Sequence, residues 1–340
     1  MVLRTELTSI LGITNPIVLA PMAGVSHAAL ISAVANTGSL GLLGVGYATD
    51  PQWIHNQMRQ ASQAYKPESG GALGIGFITW WLEKHPALLE AALEWKPTAL
   101  WFSFGNYGQF LETIRERSPD TKVIAQVQTV EEALEAVEMY GVDIIVAQGS
   151  EAGGHGAKVN ASTFCLVPEI NDAVGDRVPV VAAGGVTDGR HLAAALMLGA
   201  SGIVIGTRFC ATPESAMHPN AKDCLVASRD GGRSTVRTTA FDVLRGYSAW
   251  PSAYAFRVLC NDVTESIQSG TPVEEWKSKY EQALQSGDFN VAHVGAGQGV
   301  GLIKGIWPAK LVVERVMEEA LECFQIAAAV SDPRRLRAKL

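Results

Sequence analysis

Over the first two thirds of the chain, short apolar or β-branched runs alternate with longer amphipathic segments. That rhythm is the signature of repeated βα units around a parallel sheet. Strand-like runs fall at Ile17 to Ala20, Gly41 to Val45, Leu73 to Phe77, Ala99 to Ser103, Val123 to Val127, Ile144 to Ala147, Val178 to Ala182 and Gly202 to Ile205. Eight of them predict an α/β fold, a closed (β/α)8 TIM barrel. Helices are expected between them, at 27–36, 51–65, 86–95, 107–117, 130–140, 164–174 and 189–198, with Pro168 making the sixth irregular. Thr129 followed by Glu131 and Glu132 reads as a capped, acidic first turn, and Gly141 and Gly199 read as helix stops.

After Phe209 the rhythm breaks. Residues 1–210 therefore form the expected barrel core, and 211–294 an inserted, mostly helical subdomain over the active-site side, with helices near 253–269 and 273–285. Residues 295–330 supply a return loop and the last barrel helix. Its apolar stripe (Leu311, Val312, Val316, Ala320) recurs at helical spacing. Residues 331–340 read as a flexible tail.

Composition narrows the function classes. With 47% hydrophobic and 18% charged residues, the chain can bury a large core. A net charge of −7, and no dense basic block except Arg334-Arg335-Leu336-Arg337, argue against a nucleic-acid partner. No segment reads as a signal peptide or membrane span. The five cysteines are widely spaced and contain no C-x-x-C pair, which points away from zinc and disulfides and toward a reducing compartment. A cytoplasmic location follows, or a peroxisomal one if Ala338-Lys339-Leu340 is read as a Ser-Lys-Leu-like address. A homodimer is compatible with these features.

In such a barrel, catalytic groups come from loops at the carboxyl ends of the strands. The sixth strand runs into Gln148-Gly149-Ser150-Glu151-Ala152-Gly153-Gly154-His155-Gly156-Ala157. Small neighbours leave little bulk to bury the His155 ring, so it is expected to face a ligand as base or hydrogen-bond donor. Glu151 is expected either to orient this loop or to pair with Arg208. The seventh and eighth strands end in Ala183-Gly184-Gly185 and Gly206-Thr207-Arg208. Two glycine turns on neighbouring strands suit a phosphate-bearing ligand, whereas one alone would read as a tight turn. Trp80, Trp81 and Trp101 either wall an apolar pocket or pack the core. No metal-ligand spacing and no nucleophile elbow is present.

With these residues in view, the chain resembles the nitronate monooxygenase (2-nitropropane dioxygenase) family, FMN-dependent (β/α)8 barrels. The likeness lies in Pro16 to Gly24, Ala147 to His155, Val180 to Gly185, Gly206 to Phe209 and Ala296 to Gln298. It implies FMN with its phosphate on Gly184, Gly185, Gly206 and Thr207 and its ring along Ala20, Pro21 and Met22. Gln126, Gln148, Gly153, Gly154, Ala183, Gly297 and Gln298 would complete the site, with His155 as the catalytic residue. The implied reaction is oxidation of a nitronate, and of nitroalkanes after deprotonation, by O2 to a carbonyl compound and nitrite. The third-strand loop departs from the family: Gly74-Ile75-Gly76-Phe77-Ile78-Thr79 lacks the asparagine many relatives place there. Alternatives are an FMN-dependent NAD(P)H:quinone or enoyl reductase, and a non-redox barrel that binds a phosphate ligand.

Overall fold

The structure, a computed structural model, describes residues 3–330. Strands β1 (Ile17–Leu19), β2 (Leu40–Gly44), β3 (Ala72–Ile78), β4 (Ala99–Ser103), β5 (Lys122–Val127) and β6 (Ile144–Gln148) lie where the apolar runs predicted them. A short strand β7 (Gly154–Ala157) then interrupts the series before β8 (Val180–Ala183) and β9 (Gly202–Ile205). The eight parallel strands other than β7 close into a barrel in chain order. The seam joins β1 to β9, pairing Ile17 with Ile203, Val18 with Val204 and Leu19 with Ile205.

Closure follows from strand alternation, which sends successive side chains to opposite faces. Val18, Leu42, Trp101, Ile124, Ile144, Val146, Val181 and Val204 fill the barrel interior. Ile17, Leu19, Leu43, Ile75, Ile145, Val180 and Ile203 face the ring of helices. A helix at Glu6–Leu11, unmarked in the sequence pattern, adds Leu7 and Leu11 to the interior cluster. The sixth interstrand helix runs unbroken from Thr163 to Val174 despite Pro168. Phe164, one turn earlier, is exposed, so the carbonyl released by the proline faces the wet side of the helix.

The inserted segment is less helical than its sequence suggested. Where one helix was expected over 253–269 there is a strand, β11 (Tyr254–Leu259), followed by a helix at Asp262–Gln268. Strand β10 (Thr235–Thr238) pairs antiparallel with β11, which pairs antiparallel with β7. The glycine run around His155, expected to be loop, is thus the edge strand of a three-stranded sheet. Two strands of that sheet belong to the insert. No helix among the described residues is long and apolar enough to cross a membrane. The terminal tripeptide Ala338-Lys339-Leu340 and the rest of the expected tail lie outside the described residues.

The last helix (Ala309–Val330) packs on the helix Gly189–Met197. Contact is backbone-close at Gly189, whose amide donates to Glu319 Oε2 at 2.9 Å. A Cβ there would lie 2.4 Å from both the Ala320 nitrogen and the Val316 oxygen. Gly189→Ala should therefore push the two helices apart and cost about 1–3 kcal/mol, the usual range for overpacking. A lowered urea midpoint with an unchanged barrel circular dichroism spectrum would show it; an unchanged midpoint would not fit this packing.

Candidate active site

The carboxyl ends of the barrel strands and the inner face of the insert enclose one cavity of about 920 Å³. That is near the upper end of the about 300–1,000 Å³ typical of small-molecule sites. Ala20, Pro21, Met22, Gln126, Gln148, Gly153, Gly154, His155, Ala183, Gly184, Gly185, Gly206, Thr207 and Gly297 all line it. Gln298 stands beside the lining, its amide donating to the Glu151 carbonyl at 2.9 Å. Residues scattered over nearly 280 positions thus meet because each follows a barrel strand or belongs to the loop that returns from the insert.

On one side the wall is bare backbone. Gly184 and Gly185 adopt φ of 110° and 71°, which favour glycine. No hydrogen bond within the described residues engages the amides of Gly185, Gly206 or Thr207. The Thr207 hydroxyl accepts from the Gly297 amide at 3.0 Å, which fixes the late loop against the eighth barrel strand. Close by in sequence, Arg208 is buried with no carboxylate partner among the described residues; it stacks on Trp307, and burial pulls its guanidinium down to about 10. It stays charged at neutral pH. Gln126 lines the cavity with a buried Nε2 that has no partner. Free amides and an orphaned amide donor fit a ligand that is anionic at one end and carries acceptors at the other.

The opposite side holds His155. Contrary to the expectation from its small neighbours, the ring is buried, because the insert brings large side chains onto it. Trp250 stacks on one face at 3.6 Å between ring centroids and Phe256 on the other at 4.7 Å. Nε2 lies 2.8 Å from Oδ1 of buried Asp242. Burial lowers the His155 pKa below its ordinary value; Asp242 opposes that shift, while Arg245 and Arg237 add to it. The imidazole is neutral at physiological pH.

Backbone rigidity around His155 comes from two arginines of the insert. Arg237 donates to the carbonyls of Ala255 (2.7 Å) and Ala152 (3.1 Å), and Arg257 to that of Ser150 (3.1 Å). The glycine run has few side chains of its own to hold it, so these guanidiniums take that role. Glu151 does not pair with Arg208. It accepts from the Thr163 amide at 2.8 Å at the start of the helix Thr163–Val174, which leaves loop orientation as its function.

The tryptophans divide. Trp101 lines the cavity, whereas Trp80 packs edge-on behind Trp250 at 5.3 Å, and Trp81 donates from Nε1 to the Ala48 carbonyl. Asp242, Trp250, Phe256, Arg237 and Arg245 escaped the sequence reading because they lie 82 (Arg237) to 101 (Phe256) positions from His155. One local signal was available: Tyr254-Ala255-Phe256-Arg257-Val258-Leu259 and Thr235-Val236-Arg237-Thr238 are rich in aromatic and β-branched residues, which suits strands.

Comparison with known proteins fits this geometry. The family model for nitronate monooxygenase matches residues 4–67 and 84–319. The chain is 34% identical to the nitronate monooxygenase npaC of Metarhizium robertsii, covering 90% of this chain and 91% of that protein. It is 32% identical to the nitronate monooxygenase of Neurospora crassa, over 91% and 90%. Among solved structures, FabK from Thermotoga maritima superposes with a TM-score of 0.81 at 30% identity, covering 96% and 99%. A nitroalkane oxidase from Streptomyces ansochromogenes gives 0.79 at 27%, covering 94% and 99%. The fold is a (β/α)8 barrel, and these relatives place the chain among flavin-dependent oxidoreductases. Within that class, the chain belongs to the nitronate monooxygenase family. The gap inside the match, residues 68–83, includes β3 and the short helix Thr79–Leu82 that carries Trp80 and Trp81, the region where the sequence departs from the family pattern.

Three further imidazoles, those of His27, His218 and His293, also line the cavity. His293 sits 2.6 Å from the Tyr280 hydroxyl through Nδ1, and burial, with Arg245 and His155 adding to it, lowers its pKa to about 3. The unfolded chain binds this proton near 6.5, so below that pH it takes up protons that the fold excludes. Stability should fall as pH drops from 6.5 toward 3, with His155 acting in the same direction. Urea midpoints at pH 7.5 and 4.5 check this: His293→Gln should narrow the gap between them, and a gap of wild-type size would assign the acid loss to other groups.

Proposed function

We propose that the chain is an FMN-dependent nitronate monooxygenase. It oxidises alkyl nitronates, and neutral nitroalkanes once deprotonated, with O2 to a carbonyl compound and nitrite. The observation that carries the reading is the arrangement across one cavity: an anion-accepting glycine cradle faces a neutral imidazole with an open ring nitrogen. Family membership supplies the reaction class.

In this reading Gly184, Gly185, Gly206 and Thr207 hold the phosphate through backbone amides. Ala20, Pro21, Met22 and Ala183 offer a wall without bulk for a flat ring. Gln126 and Gln148 provide amide contacts to its polar edge, and Gly153, Gly154 and Gly297 let backbone approach it closely, with Gln298 tying the late loop to Glu151. FMN, when bound, supplies the electron transfer between nitronate and O2. The chain's own residues do the rest. His155 meets the nitro group or nitronate beside the ring, and for a neutral nitroalkane its free nitrogen takes the proton from carbon. Trp250 and Phe256 keep that exchange dry.

Two tests follow. Nitrite release in air from an alkyl nitronate, by protein whose extracted cofactor is FMN, supports the assignment; a protein that holds no FMN sinks it. His155→Asn should keep FMN while turnover of a neutral nitroalkane falls by about 10²- to 10⁴-fold, the range for loss of a general base. Preformed nitronates should suffer less. An equal loss on both substrates would make His155 a binding group and not a base.

A further inference from the structure

The glycine cradle, the Gln126 donor and His155 have roles in the reading above, but Asp242 does not. It is a buried carboxylate contributed by the insert, 87 positions away from the imidazole it touches. We infer that Asp242 is the positioning residue of His155: it fixes the ring in the tautomer whose Nδ1 is basic and open to the cavity, and it serves as counter-ion when that nitrogen takes the substrate proton. The chemical consequence for the substrate rests on the nitronate reading; the tautomer does not.

An ionised carboxylate only accepts hydrogen bonds, so at 2.8 Å the Nε2 nitrogen must carry the hydrogen. A neutral imidazole has one N–H, which leaves Nδ1 with its lone pair. No hydrogen bond within the described residues engages Nδ1, nor is it among the buried polar atoms sealed without a partner. With His155 in the cavity wall, that nitrogen is the one a substrate can reach.

Ring orientation is held as firmly as protonation. Trp250 and Phe256 lie within 6° and 4° of the imidazole plane on its two faces. A turn about the Cβ–Cγ bond would have to carry the ring edge-on through both neighbours. Trp80 braces Trp250 from behind, and Trp250 Nε1 donates to the Tyr47 hydroxyl at 2.8 Å.

Charge completes the case. Asp242 Oδ2 is buried and has no partner, and Asp242 forms no ion pair with an arginine among the described residues. Arg245, the nearest cation in the sequence, packs instead against the rings of Tyr47, Tyr247 and Phe256. With a carboxylate at Asp242 and a neutral imidazole at His155, the pair carries one negative charge before the substrate proton arrives. When the carbon–hydrogen bond of a nitroalkane breaks, its electron pair stays on the substrate and delocalises onto the nitro oxygens. The proton goes to Nδ1. Asp242 remains ionised, and the pair becomes an imidazolium–carboxylate couple, neutral overall. A lone buried imidazole would have to create a new cation at that step, at a desolvation cost.

The other groups acting on His155 are Arg237 from β10, Arg245 beyond the Asp242 helix, and neutral His293 across Phe256. Both arginines lower its basicity, and Asp242 is the group that raises it. Removing the carboxylate charge should therefore shift the acidic limb of nitroalkane turnover to lower pH.

Nitrogen-15 NMR of histidine-labelled, flavin-loaded protein tests the assignment directly, with the His155 signal identified by its absence in His155→Asn. The wild type should show a protonated Nε2 and an unprotonated Nδ1 at neutral pH. Asp242→Asn should lose that bias, since its amide can offer a donor as well as an acceptor, and its acidic limb should move down. Proton abstraction from a neutral nitroalkane should fall by about 10- to 10²-fold, below the about 10²- to 10⁴-fold of losing the base itself. The fall on preformed nitronate should be smaller. Wild-type protonation at Nδ1, or an Asp242→Asn protein with tautomer and limb unmoved, would overturn the inference. An equal fall on both substrates with an unmoved limb would reduce Asp242 to a structural role. Should neither protein act on any nitro compound, the reaction class falls while the wild-type tautomer still decides the role of Asp242.

Discussion

The structure depends on one strand pairing: β7 of the barrel loop against β11 of the insert, with His155 opposite Phe256. Without it, the run from Gly149 to Ala157 has little besides Glu151, held on the Thr163 amide, to define its path. Pairing gives the backbone a partner, and the two arginines of the insert satisfy carbonyls that the short strand leaves over. It also brings Asp242, Trp250 and Phe256 onto an imidazole that begins with nothing around it. Barrel and insert therefore make the site jointly: the barrel supplies the glycine-lined wall, and the insert supplies the carboxylate and the rings that enclose the histidine.

Much of the barrel was legible in the sequence because its signals are local. A run such as Ile144 to Ala147 alternates between interior and helix-facing positions, both apolar, and no competing structure suits it. Glycines at 184, 185 and 206 mark backbone that must be approached closely, which is a property of single residues. The insert was harder to read. Tyr254 to Leu259 contains aromatic and branched residues with one arginine, a composition that admits a short helix turn or a strand, and only pairing with β7 and β10 decides the matter.

The same distinction explains the site. That His155 would line a ligand cavity followed from the strand-end rule for barrels. Its burial did not, because the rings that cover it come from 95 and more residues downstream. The Glu151–Arg208 pairing, one of two expectations, failed for a related reason: Thr163, placed by the loop that leaves β7, offers Glu151 an amide at a helix start, and Arg208 turns instead to Trp307. Trp80 packs behind Trp250, so the segment after β3 shapes what stands behind the histidine. Neither Trp80 nor Trp81 lines the cavity, whereas Gly76, Phe77 and Ile78 of β3 do.

The central claim is that this cavity brings a nitronate to a bound flavin. Anaerobic mixing of the FMN-loaded protein with an alkyl nitronate, followed by visible absorbance, tests it most directly. Rapid bleaching by the nitronate, with nitrite appearing when air is admitted, is the result expected. Bleaching by NADH or NADPH with no response to any nitronate would contradict it and assign the site to a reductase.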